Sequence, residues 1–172
     1  MNNKRQGSLL LEINVLLLAI CLLLTCYYQE ILQVLMTEGK ISADLELFRT
    51  ARIVNTVLTK KLSLEVAAVA VATEGTTSKL TCQELDAKSK VTFYCKAMQQ
   101  APYVQTLYQQ TKVEGKTPGT NPLTPPTVEV TAWQVQVLDA ETLQLRLVLR
   151  ELKAGRSKEF WQVIKLSNGY VR

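Results

Sequence analysis

Histidine is missing from this 172-residue chain. Without imidazole there is no Ser-His-Asp or Cys-His pairing, no imidazole metal ligand and no imidazole acid or base. Seven glycines and five prolines are too few for a disordered or fibrous protein. No glycine-rich phosphate loop, metal-ligand motif or nucleophile elbow occurs, so no cofactor is implied. Charge is not one-sided either. Twenty Lys+Arg face 15 Asp+Glu, and the net +5 is scattered, which speaks only faintly for nucleic acid. The length suits one modest domain with an appendage rather than a two-domain enzyme.

What the chain has is grease in one place. Mean hydropathy is +0.05 although 20% of residues are charged. From Ser8 to Tyr28 the sequence reads SLLLEINVLLLAICLLLTCYY, with Glu12 its only charged side chain. At about 1.5 Å per residue these 21 positions span about 31 Å, the thickness of a hydrocarbon core. No Pro or Gly interrupts them, and a globular helix is rarely apolar on every face for so long. A cleaved secretory signal lacks its small residues here, and a lipoprotein signal at Cys26 sits badly with Thr25 before it. The segment reads as a membrane-spanning helix. Lys4 and Arg5 ahead of it keep the N-terminus in the cytoplasm and send the remainder across, and Tyr27 and Tyr28 fall at the outer interface. Glu12 then needs an account, because a carboxylate in a spanning helix costs about 2.5–3.5 kcal/mol at the bilayer centre and less near an end. One turn inside the cytoplasmic face it stays partly hydrated; with a cationic partner it becomes functional.

The run KRQG-SLLLE followed by the apolar segment resembles the class III signal of type IV prepilins: a basic leader ending in Gly7, then Ser8, then Glu12 at the fifth mature position. The resemblance implies a membrane peptidase-methyltransferase that cuts between Gly7 and Ser8 and methylates the Ser8 amine. It also implies that Glu12 pairs with the N-terminal amine of a neighbouring pilin-like subunit during assembly. Ser8 stands where major pilins usually carry Phe, and the Pro common about twenty-two residues into the mature chain is missing. Both point to a minor pilin or pseudopilin of a type IV pilus, type II secretion or DNA-uptake (competence) machine.

Beyond Tyr28 the chain continues without proline to Lys60-Lys61, with apolar residues at Ile41, Leu45, Phe48, Ala51, Val54 and Leu58. That spacing predicts an amphipathic helix over 29–61, with Gly39 its weak point. Residues 62–172 predict a β-rich outer domain. Its first strand is expected over Leu62–Ala72, with short apolar patches around Leu80 and Val91–Tyr94. Gly115–Thr127, with four of the five prolines, reads as a loop. Strands Val128–Leu138, Leu143–Leu149 and Phe160–Leu166 follow, joined by short turns into an antiparallel meander. The fold class is therefore α+β, a long N-terminal helix packed on a C-terminal antiparallel sheet, an arrangement like that of pilins.

Cys21 and Cys26 lie in the apolar helix, where thiols behave as small apolar groups. Cys82 and Cys95 lie outside, where disulfides persist. Either they join, closing a loop of about 14 residues worth about 3 kcal/mol, or they remain two buried thiols. Asp44, Glu46, Glu141 and Glu151 form no acid/base arrangement and read as solvated surface charge. Lys153, Arg156 and Lys158 share one turn, and Lys112 and Lys116 precede the proline-rich loop. A solvated turn is the ordinary reading of such clusters and DNA phosphate the weaker one, with exposed aromatics for stacking expected to be scarce. The expectation is a non-enzymatic subunit, leader 1–7 removed, stored in the cell membrane and then assembled into a filament. The rivals are a single-pass anchored binding module that keeps its leader and a small secreted enzyme.

Overall fold

Long stretches of leucine, isoleucine and alanine with no proline before Pro102 favour one helix at the N-terminus, and α1 covers Asn3–Lys60. The computed structural model describes residues 3–75, 77–99 and 101–171, with the side chains of residues 3–11 and 74 outside that description. The chain divides into two compact units, Met1–Ile41 and Ser42–Arg172, so residues 42–60 of α1 fold with the sheet domain. Gly39, the expected weak point, remains helical.

In the second unit a π-helical turn, Lys61–Glu65, closes α1. Nine strands follow: β1 (Val66–Glu74), β2 (Thr77–Glu84), β3 (Ser89–Ala97), β4 (Gln105–Val113), β5 (Gly119–Pro122), β6 (Val128–Val137), β7 (Thr142–Glu151), β8 (Ser157–Lys165) and β9 (Tyr170–Val171). The expected first strand thus starts four residues late. Leu62 is fully buried as the last apolar residue of the helical face, and the chain turns extended only after it.

The sheet is mixed, a correction to the all-antiparallel expectation. β2, β3, β4 and β5 pair antiparallel in sequence order, and β1 pairs antiparallel with β2. β6, β7 and β8 form the expected antiparallel meander. The two groups meet through a parallel bridge, Thr77 to Trp133, and β9 adds parallel to β1. Ser78 secures the junction: its buried Oγ accepts the Val135 N–H at 3.0 Å. Gly169 lets β9 come close, since a Cβ there would lie 2.7 Å from the Val66 carbonyl oxygen.

Residues 42–60 of α1 lie on one face of this sheet. Ala43, Leu47, Thr50, Ala51, Val54 and Leu58 are buried, and Leu47, Val54 and Leu58 pack with Leu80, Phe93, Leu107, Trp133, Leu145 and Leu147. Burying each such aliphatic side chain contributes about 1.5–3 kcal/mol. The buried stripe is rotated from the one expected. Ala51, Val54 and Leu58 belong to it, whereas Ile41, Leu45 and Phe48 are exposed. Small residues at 43, 50 and 51 let the helix backbone approach the sheet, and the larger side chains stand at its flanks.

Candidate functional site

The first unit carries the sequence signal. Lys4, Arg5, Gly7 and Ser8 lie where α1 is helical but side chains are outside the described residues, so the processing junction has no side-chain geometry to report. Glu12 is the first described side chain. Every residue from 12 to 42 is exposed, including the leucines, Tyr27 and Tyr28. The helix is long and apolar enough to cross a membrane, with a mean hydropathy of 2.0 over its most apolar window. Two threonine hydroxyls bond back onto the helix: Thr25 Oγ1 donates to the Cys21 carbonyl at 2.5 Å and Thr37 Oγ1 to the Gln33 carbonyl at 2.7 Å. Such back-bonds satisfy a hydroxyl within the helix itself, which an apolar solvent requires. Cys21 and Cys26 are free thiols.

In the second unit three of the four acidic residues taken for solvated charge, Asp44, Glu46 and Glu151, are structural ties, while Glu141 is exposed as expected. Asp44 on α1 receives Arg156 through two hydrogen bonds, at 3.2 and 3.0 Å, and Lys158 Nζ at 3.1 Å. The Arg156 hydrogen bond outweighs burial and holds the Asp44 carboxyl below its ordinary range, while Arg156 is raised in return. Glu46 accepts the Thr127 hydroxyl. Glu151, buried at the end of β7, accepts the backbone N–H groups of Lys153 at 3.0 Å and Ala154 at 2.6 Å and so shapes the β7–β8 turn. Glu141 lies 3.6 Å from Lys165. Lys61, at the end of α1, is flanked by Glu65 and, at 2.8 Å, Glu84. Burial pulls its pKa down, but the two carboxylates outweigh that and raise it.

These contacts also remove most of the basic turn proposed for phosphate. Arg156 and Lys158 are engaged with Asp44; Lys153, Lys112 and Lys116 are exposed but dispersed on separate elements.

The disulfide is a correction. Cys82 and Cys95 lie on neighbouring strands, β2 and β3, but out of step. Cys82 stands opposite Val91, and Leu80 opposite Phe93, so the register carries Cys95 toward Ser78. Four residues of strand, about 13 Å, separate the two positions, whereas bridged Cα atoms lie within about 7 Å. Both are free thiols packed in or against the core. Burial pushes each up to about 12, which keeps them protonated and inert. Among the described residues no group of His, Cys, Asp and Glu is placed to hold a metal ion.

Sequence reasoning missed one cluster. Aromatics are not scarce on the surface: Tyr103, Trp161 and Tyr170 are all exposed. Trp161 stands on the outward face of β8 with Arg146 of β7 beside it, the guanidinium carbon 5.5 Å from the ring centre. Arg146 Nη1 also donates to Gln134 Oε1 of β6 at 3.0 Å. Alternation marks each of these residues as outward-facing, but only the register between strands brings them into one row. Compared with models of known families, with curated proteins and with solved structures, the chain finds no match.

Proposed function

We propose that the protein is a membrane-stored minor subunit, pilin-like or pseudopilin-like, of a type IV pilus-related filament, and that its work is structural rather than catalytic. The observation that carries this reading is the placing of Glu12, five positions past the Gly7–Ser8 junction at the head of a helix apolar on every side. A basic leader, a small residue pair for cleavage and a single acid in a spanning segment form one chemical set. Removing residues 1–7 lowers the side-chain net charge from +5 to +3 and creates an ammonium at Ser8. That cation and the Glu12 carboxylate of an adjacent subunit offset each other's desolvation in a helical bundle. Before assembly the helix lies in the cell membrane with its N-terminus cytoplasmic and the sheet domain outside. The partners are a prepilin peptidase-methyltransferase, related subunits and the bilayer. The α+β architecture supports the reading without being special to it.

Intact-mass measurement on protein extracted from native membranes tests the proposal. The expected species lacks residues 1–7 and carries one added methyl group. A chain that retains its leader leaves a plain single-pass anchor with an extracytoplasmic binding domain, and the filament reading falls.

A further inference from the structure

Two rows of side chains cross the outward face of β6, β7 and β8. Gln134 stands opposite Arg146, and Arg146 opposite Trp161; two positions along, Gln136 stands opposite Gln144, and Gln144 opposite Val163. The strand period of two puts them all on the face away from the core, while Val135 and Leu145 between them are buried and Gln162 between Trp161 and Val163 is half-buried. Thr73 and Ser78 of the β1–β2 hairpin close one side, leaving a recess of about 200 Å³.

The recess is held in shape by its own contacts. Arg146 Nε donates to Glu159 at 2.5 Å and Nη1 to Gln134 at 3.0 Å, which fixes the guanidinium over the indole ring. Trp161 nevertheless keeps 56% of its surface exposed. Val163, next to it on the same face of β8, is 59% exposed, so the two together offer apolar surface that a ligand can cover.

The chemistry of the lining selects the occupant. Glu159 balances Arg146, so the recess has little net charge with which to draw a phosphate, a carboxylate or an anionic headgroup. Gln136, exposed, and Gln144, half-buried, line the recess, and each amide offers two donors and an acceptor. Hydroxyl groups, which donate and accept at once, match such amides. Arg146 stands over one face of the indole, and the exposed remainder of that electron-rich ring matches a surface of polarised C–H bonds. A pyranose with equatorial hydroxyls presents both together, C–H bonds on its flat face and hydroxyls around its rim. The volume is below the about 300–1,000 Å³ of drug-sized sites and suits a single ring, with further units lying along the sheet.

We propose that the Gln134–Arg146–Trp161 row and the adjoining Gln136–Gln144 pair form a shallow binding site for neutral glycans, with one pyranose seated against Trp161. This site does not depend on the filament reading, since an anchored module uses it equally well.

The test uses the full chain in a zwitterionic detergent, because sugar-headed detergents compete for the site. Chitotetraose and cellotetraose are titrated by calorimetry, with tryptophan fluorescence read in parallel. The chain has two tryptophans, and Trp133 is fully buried, so a saturable change in emission reports Trp161. Saturable binding of either tetramer is expected, with affinity falling about tenfold in Trp161→Ala and severalfold in Gln136→Ala/Gln144→Ala. Trp133 emission and circular dichroism establish that the variants are folded. Absence of saturable binding for both tetramers overturns the proposal, as does binding that Trp161→Ala leaves unchanged. A thymidine oligomer that binds through Trp161 while neither tetramer does overturns it too, in favour of a single-strand stacking platform.

Discussion

Arg156 grips Asp44 with two donors, Nε to Oδ1 at 3.2 Å and Nη2 to Oδ2 at 3.0 Å, across 112 positions of sequence. Lys158 reaches the same carboxylate and passes 4.2 Å from the centre of the Phe48 ring, which meets Phe160 edge-on at 5.6 Å. The β7–β8 turn, given its bend by Gly155 at φ +65°, is thus fastened to α1 by charge and by aromatic contact. A planar fork on a carboxylate fixes orientation as well as distance, so the pairing also sets how residues 42–60 of α1 lie along β8.

That pairing gives a pH signature. The Asp44 pKa is lowered in the folded protein, chiefly by Arg156, so its contribution to stability is present above the ordinary carboxylate value of 3.8 and is lost as pH falls through the folded value. Asp44→Asn is expected to melt below the wild type at neutral pH. The difference should close progressively below about pH 4, and also in high salt because the group is accessible to solvent. Thermal melts of both proteins across pH and salt check this; a difference independent of both would mean that Asp44 acts through shape alone.

The second prediction concerns which side of α1 carries the packing energy. Leu58 is fully buried, whereas Leu45 is 65% exposed. Leu58→Ala is expected to cost about 2–5 kcal/mol and Leu45→Ala well under about 1 kcal/mol, measured by chemical denaturation of the two variants beside the wild type. Equal losses would mean that the helix packs by the stripe Ile41–Leu45–Phe48 that side-chain size suggests.

How much of this was legible follows from how each element is held. β6, β7 and β8 lie within three residues of expectation at every end because inward Val, Leu and Ile alternate with outward Gln, Arg and Glu there. β4, QTLYQQTKV, escapes such reading, since only Thr106 and Leu107 are buried and pairing with β3 does the rest. β5 hides in the proline-rich loop. It is a four-residue edge strand ending at Pro122, and an edge tolerates a residue with no N–H to give. The helix spacing identifies Ala51, Val54 and Leu58, which are buried, but in the preceding turns it picks Ile41, Leu45 and Phe48, whereas Ala43, Leu47 and Thr50 face the sheet there. Of the candidate sites, the Gly7–Ser8–Glu12 signal is contiguous and readable. The Gln134–Arg146–Trp161 row exists only once three strands are in register.

Cysteine chemistry supplies a third prediction. With Cys82 and Cys95 four residues out of register, protein denatured without reductant should take up four alkyl groups, the same number as with reductant. In the folded state both sheet-domain thiols, raised to about 12, should react slowly at pH 8, where almost none is thiolate. Mass spectrometry counts the adducts. Two missing adducts without reductant would require a different pairing of β2 with β3.

The last prediction separates the two roles of the N-terminal signal under the proposed filament reading. Cleavage acts at Gly7–Ser8, one helical turn before Glu12, so Glu12→Ala should still be processed and methylated. Assembly is different, because it takes the Ser8 ammonium into a low-dielectric bundle where its charge needs an answering carboxylate. Removing one member of such a pair leaves the other buried and uncompensated, at about 3–5 kcal/mol, enough to lower incorporation a hundredfold or more. N-terminal sequencing of the membrane fraction and quantitative blotting of sheared filaments give the two readings. Processed protein absent from filaments is the expected result. Wild-type incorporation of Glu12→Ala would show that the acid has no electrostatic part in assembly, and the helix would then be joining its neighbours through its apolar surface alone.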